Sequence, residues 1–120
     1  MYTELDSIDQ LIDRLSDESL EPGEYWLIFL ADAHSQWVQT LVEHLNRLAI
    51  PFFGGVFPGL ITGGSHHTVG VVYQRVRCLA PPAIIPLNAF NPDSLKNLPS
   101  LNDIKADDAT LLCFPDCNAP

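Results

Sequence analysis

The sequence predicts an α/β (α+β) fold: a mixed central sheet with flanking helices, one βαβ crossover and an antiparallel return strand. Three observations carry this. Tyr25–Ala31 is a short continuous apolar run, which suits a buried central strand better than a helix. An amphipathic stretch follows, then a second apolar run from Phe52, the order of a right-handed crossover joining two parallel strands. Residues 69–77 hold Val69, Val71, Val72, Tyr73 and Val76, and a strand so soon after the second one reads as folding back antiparallel.

The elements follow in order. Residues 7–16 read as a helix, because Ile8, Leu11, Ile12 and Leu15 recur at helical spacing. Ser7 and Gln10 fit a capping box, and Asp9 suits the positive end of the helix dipole. Glu21-Pro22-Gly23 is a turn. Asp32-Ala33-His34-Ser35 is the strand-to-helix turn, with Ser35 expected as the cap of a helix over about residues 36–48. That helix is expected to bury Trp37, Val38, Leu41, Val42, Leu45 and Leu48, with Glu43 and Arg47 paired four residues apart. Pro51 opens the next strand, where a missing N–H is tolerable. Pro81-Pro82 ends the return strand, Ala83–Leu87 reads as a further short strand, and Ser94–Asn97 as one helical turn at most. Thr110–Phe114 reads as a last strand without the covering helix an α/β chain would add. The chain is therefore expected to be one domain, or the N-terminal fragment of one. An apolar face would then be open to the rest of the domain or to a second copy.

The 120 residues suit one small core. At 47% apolar and 18% charged the chain reads as globular. No apolar run approaches the roughly 20 residues of a membrane span. The acidic start lacks the pattern of a signal peptide, and Cys78, Cys113 and Cys117 do not make a disulfide framework, so a cytoplasmic location is expected. A net charge of −9 argues against a nucleic-acid partner. The charge is uneven. Glu4, Asp6, Asp9, Asp13, Asp17, Glu18, Glu21 and Glu24 face only Arg14 in residues 1–24, whereas residues 25–100 carry a net charge of +1. An anionic ligand would not be repelled by that middle section.

Five of the seven glycines fall between Gly54 and Gly64, so this stretch needs a particular backbone shape, as a tight loop or as the lining of a pocket. The same stretch carries a resemblance. Tyr25–Asp32, an amphipathic helix, Ile-Pro-Phe-Phe-Gly-Gly-Val-Phe-Pro-Gly-Leu-Ile, then Gly-Gly-Ser-His-His and Val69–Val76 together resemble the N-terminal part of the FIST domain. That is a bacterial and archaeal sensory module of signal-transduction proteins. The resemblance covers roughly residues 25–114 and is most specific at Phe53–Ile61. It implies small-ligand sensing rather than catalysis, with a signalling output domain as partner. Some members are described as haem-binding nitric-oxide sensors, so haem is a possible cofactor, but no family motif fixes a haem ligand on a position of this sequence.

Candidate site residues follow from the topology. Ligands of open α/β sheets bind beyond the carboxyl ends of the parallel strands. Those ends carry Asp32 and His34 after the first strand and Gly54, Gly55 and Phe57 on the second. Gly54 and Gly55 would let backbone approach a ligand, and Phe57 would supply apolar wall. Ser65 and His66 on the return loop complete the set, since imidazole binds metals and titrates near neutral pH. Each has a plainer role available: Asp32 as a turn residue, the histidines as loop surface, Phe57 as core. Ser65, a histidine and Asp32 would also supply the residue types of a hydrolase, but the flanking sequence lacks a nucleophile elbow. Neither glycine pair has dinucleotide or Walker spacing. A receiver domain needs paired acids at one strand end and a lysine beyond a later strand, and Lys96 and Lys105 both sit in poorly strand-like sequence. Cys113 and Cys117 are not a redox pair. The expected function is non-catalytic binding of a small molecule, of amino-acid-like chemistry, with a haem-based gas or redox sensor, a small hydrolase and a structural interaction domain as alternatives.

Overall fold

The computed structural model describes residues 1–83, 112 and 114. The chain divides into two compact units, Met1–Arg77 and Cys78–Pro120, and the fold of the first is as follows. Strand β1 (Tyr2–Thr3) leads to helix α1 (Ile8–Asp17) and strand β2 (Glu24–Ala31). A 3-10 turn over Asp32–Trp37 runs into helix α2 (Val38–Arg47), then strand β3 (Phe52–Phe57). Strands β4 (Leu60–Thr62) and β5 (Ser65–His67) form a hairpin before strand β6 (Val71–Arg77). The main sheet has the order β1-β6-β2-β3. β2 and β3 are parallel, with Ala31 opposite Phe57, while β6 runs antiparallel to both β2 and β1. The mixed α+β architecture is thus the expected one.

Alternation along β2 decides where the core sits. Trp26, Ile28 and Leu30 turn to one face and meet Leu11, Ile12 and Leu15 of α1, Leu41 and Leu45 of α2, and Val71 and Tyr73 of β6. Both helices therefore cover the same face. The Trp26 indole N–H, buried there, donates to the Leu15 carbonyl at 3.0 Å, which removes the cost of an unpaired donor. On the other face Tyr25 meets Phe53, and Phe29 meets Phe57, edge to face.

Several local expectations need correction. Ser35 does not cap α2. It lies inside the 3-10 turn, and only its carbonyl, accepting from Val38 N–H, serves the helix start. Leu48 is exposed rather than buried, because α2 has ended. Ala49 follows it at φ +56°, and the Ala49 and Ile50 amides donate to the carbonyls of Asn46 and Leu45, a Schellman closure. Glu43 accepts from Gln39. Ser7 does accept from Gln10 N–H, but the Gln10 side chain accepts from Asp6 N–H, one residue earlier than a standard box. The return strand starts at Val71, and β1 went unread. The expectations for Ala83–Leu87, Ser94–Asn97, Thr110–Phe114, Cys113 and Cys117 fall wholly or largely outside the described residues. Among the described residues no helix is long and apolar enough to cross a membrane.

Candidate functional site

The strand order places the 58–70 connection. β3 ends beside the end of β2, and β6 begins on the other side of β2, where Val71 faces Leu30. The chain must cross the carboxyl end of β2 to get from one to the other. It does so with the β4–β5 hairpin, whose turn takes Gly63 and Gly64 at φ +56° and +81°. Two consecutive positive φ values are what a two-residue turn of this hand requires. Leu60 at the hairpin base is buried.

Gly70 anchors the far side of this crossing. Its carbonyl accepts from Ala31 N–H at 3.0 Å, and its N–H donates to His34 Nε2 at 3.0 Å. Its φ is +101°, and a Cβ would lie 2.6 Å from the Tyr2 ring and 2.8 Å from the Thr3 carbonyl oxygen. No other residue type fits. The Tyr2 hydroxyl shares its proton between Glu4 and the Val69 carbonyl, both at 3.0 Å, and the Tyr2 ring stacks on His67 at 3.9 Å. Desolvation first, then the Glu4 hydrogen bond and its negative charge, raise the Tyr2 phenol above its ordinary range.

Asp32 and Phe57 flank the end of β2 as the topology required. Asp32 is exposed at the start of the 3-10 turn. His34 is half-buried and stacks on Trp37 at 4.2 Å. A backbone amide only donates, so Nε2 of His34 is the acceptor nitrogen and the neutral ring carries its proton on Nδ1. Among the described residues that Nδ1–H has no hydrogen-bond partner. Gly54 and Gly55 each have a reason within the fold to lack a side chain. A Cβ on Gly54 would fall on the Ile28 carbonyl oxygen of β2, and one on Gly55 would meet the Phe57 ring at 3.3 Å. The site of Gly54's missing side chain is taken by the sheet itself. Ser65 sits exposed beside the hairpin turn, opposite Thr62. His66 is exposed and lies over Gly59, where a Cβ would strike its Nε2.

Among the described residues no hydrogen bond joins Ser65 to a histidine or a histidine to Asp32. No group of three or more His, Cys, Asp or Glu side chains among them could hold a metal. Of the four histidines, only His34 has the lone pair of a ring nitrogen engaged by a hydrogen bond among the described residues. The Nε2 lone pair of His34 is engaged by Gly70 N–H, whereas His44 donates Nδ1–H to the Thr40 carbonyl at 2.9 Å and keeps its Nε2 lone pair, His66 is exposed, and His67 is stacked on Tyr2. An open groove of about 410 Å³ lies at the opposite end of the unit, lined by Ser16, Glu18, Leu20, Leu48, Ala49 and Pro51 among others.

Tyr2, Trp37 and Gly70 belong to this site and were missed. Gly70 had a signal, an isolated glycine among valines, which marks close backbone approach. Tyr2 had none, because its role depends on β1 pairing with a strand some 70 residues away. No protein-family model, curated protein or solved structure matches this chain.

Proposed function

We propose that this chain is a non-catalytic sensory domain that binds a small molecule at the carboxyl end of β2. The ligand is of amino-acid-like chemistry, and the FIST-like reading would make its output a partner signalling domain in the cytoplasm. The single observation behind this is the His34 tautomer. Gly70 holds Nε2, which leaves Nδ1–H as a neutral donor for a ligand carboxylate. Two residues earlier the exposed carboxylate of Asp32 is available to an ammonium group. An acceptor and a donor on one short turn suit a zwitterion. The same bond weighs against haem, since iron would compete with Gly70 for Nε2.

The test is a two-dimensional amide NMR titration with a panel of free amino acids and small carboxylates. Saturable shifts should cluster at Ala33–Gln36, Phe57 and Gly70, and Asp32→Asn should weaken binding of amino acids more than that of simple carboxylates. Shifts confined to Ser19, Leu48 and Ala49 would move the site to the opposite groove, and no saturable shift with any member would reject the reading.

A further inference from the structure

We propose that His34 is a proton-sensitive latch for the chain crossing over β2: neutral, it holds Gly70; protonated, it releases it. This does not rest on the ligand reading. The Gly70 amide has only a proton to offer, and the bond at 3.0 Å uses the one lone pair of the neutral imidazole. Adding a proton at Nε2 sets two donors against each other and breaks the bond. Imidazole makes this change of charge near neutral pH. Release acts on a defined element, because the hydrogen bonds of Gly70 to the β2 end run through two groups only, its N–H to His34 and its carbonyl to Ala31 N–H. The stack on Trp37 at 4.2 Å favours the present orientation of the His34 ring. The ionisable groups around the contact are Asp32 on the same turn, Tyr2 of β1 with Glu4 beyond it, and His67 of β5 stacked on Tyr2. Of these, His67 is a second imidazole and has to be separated from His34.

The experiment follows the His34 ring and the Gly70 amide by NMR in the whole chain between pH 8 and pH 5. Both should shift with one midpoint, and Gly70 exchange, corrected for its intrinsic pH dependence, should become about two- to tenfold faster as the ring is protonated. His67→Gln should leave that coupling intact. His34→Gln keeps an acceptor oxygen at every pH and should hold Gly70 protected throughout, whereas His34→Ala should show the released Gly70 signal at pH 8 already. A Gly70 amide that does not follow the His34 ring overturns the latch. So does a coupling lost in His67→Gln, or a His34 ring that stays neutral until the protein unfolds in acid.

Discussion

Gly54 and Gly55 are adjacent in sequence yet lack a side chain for different reasons, and substitution separates them. At Gly54 the obstacle is backbone, the Ile28 carbonyl of the neighbouring strand, which cannot yield without breaking the parallel ladder. Gly54→Ala should therefore cost at least about 2 kcal/mol. At Gly55 the obstacle is the edge of the Phe57 ring at 3.3 Å, which can rotate by a few tenths of an ångström. Gly55→Ala should cost under about 1 kcal/mol. Urea unfolding of both variants checks the pair, and equal losses would show that the close approach at Gly54 is not what demands glycine there. Ala49 poses the reverse case. It holds φ +56° at the end of α2, a conformation that strains an L-residue. Ala49→Gly should raise stability by about 0.5–1 kcal/mol, read as a higher urea midpoint at unchanged slope. A fall would mean that the methyl group packs usefully into the groove it lines.

At the scale of elements, α1 and β1 are held by contacts that sequence reading sees unequally. The helix announces itself, since Ser7 accepts from Gln10 N–H and its apolar residues repeat with helical period. Ser7→Ala should cost about 0.5–2 kcal/mol, measured by chemical denaturation, and no loss would mean that water replaces the cap. β1 announces nothing. Two residues carry no periodicity, and its strand character comes from pairing Tyr2 with Val72 and Thr3 with Val71. The Tyr2 hydroxyl adds the links to Glu4 and Val69. Its phenol is raised by desolvation and by Glu4, so the fold favours the protonated form. That contribution is complete below the ordinary tyrosine range, near pH 10, and is lost as pH rises through the folded value. β1 should loosen at alkaline pH ahead of β2–β3. Amide signals of Thr3 and Val71 monitor this, and the step should vanish in Tyr2→Phe. Persistence in that variant would assign it to another group.

For the whole molecule, composition and pattern revealed the layers but not the route between them. The apolar run of β2, the amphipathic α2 and the glycine-led β3 are each local signals. Which side of β2 receives β6 is not local: it sets the crossing of residues 58–70 and hence the meeting of Gly70 with His34. The candidate site was legible in Asp32, His34 and Phe57, which sit where parallel strands end. It was illegible in Tyr2, whose role exists only once β1 pairs with β6, and only half legible in Gly70, where an isolated glycine signals close backbone approach but not what approaches. Charge was legible as a total but not as an arrangement. Arg75 lies 3.7 Å from Glu18 and 3.9 Å from Glu24, and Arg77 lies 3.2 Å from Glu21. Two arginines of β6 thus draw in three of the acids that crowd residues 1–24. Apart from the mostly buried Glu24 these groups are well exposed, and each pair is worth about 0–1 kcal/mol, while a net charge of −9 opposes the compact state through self-repulsion. Salt screens both effects, with a Debye length falling from about 30 Å at 0.01 M to about 10 Å at 0.1 M. The short pairs are screened less than the long-range repulsion. Adding sodium chloride from 0.01 to 0.3 M should therefore raise the thermal midpoint, by about 2–6 °C for a gain of under about 1 kcal/mol. Scanning calorimetry or circular dichroism melts decide it. A midpoint that falls with salt would mean that the Arg75 and Arg77 pairs outweigh the repulsion, and Arg75→Gln should then abolish much of the salt dependence.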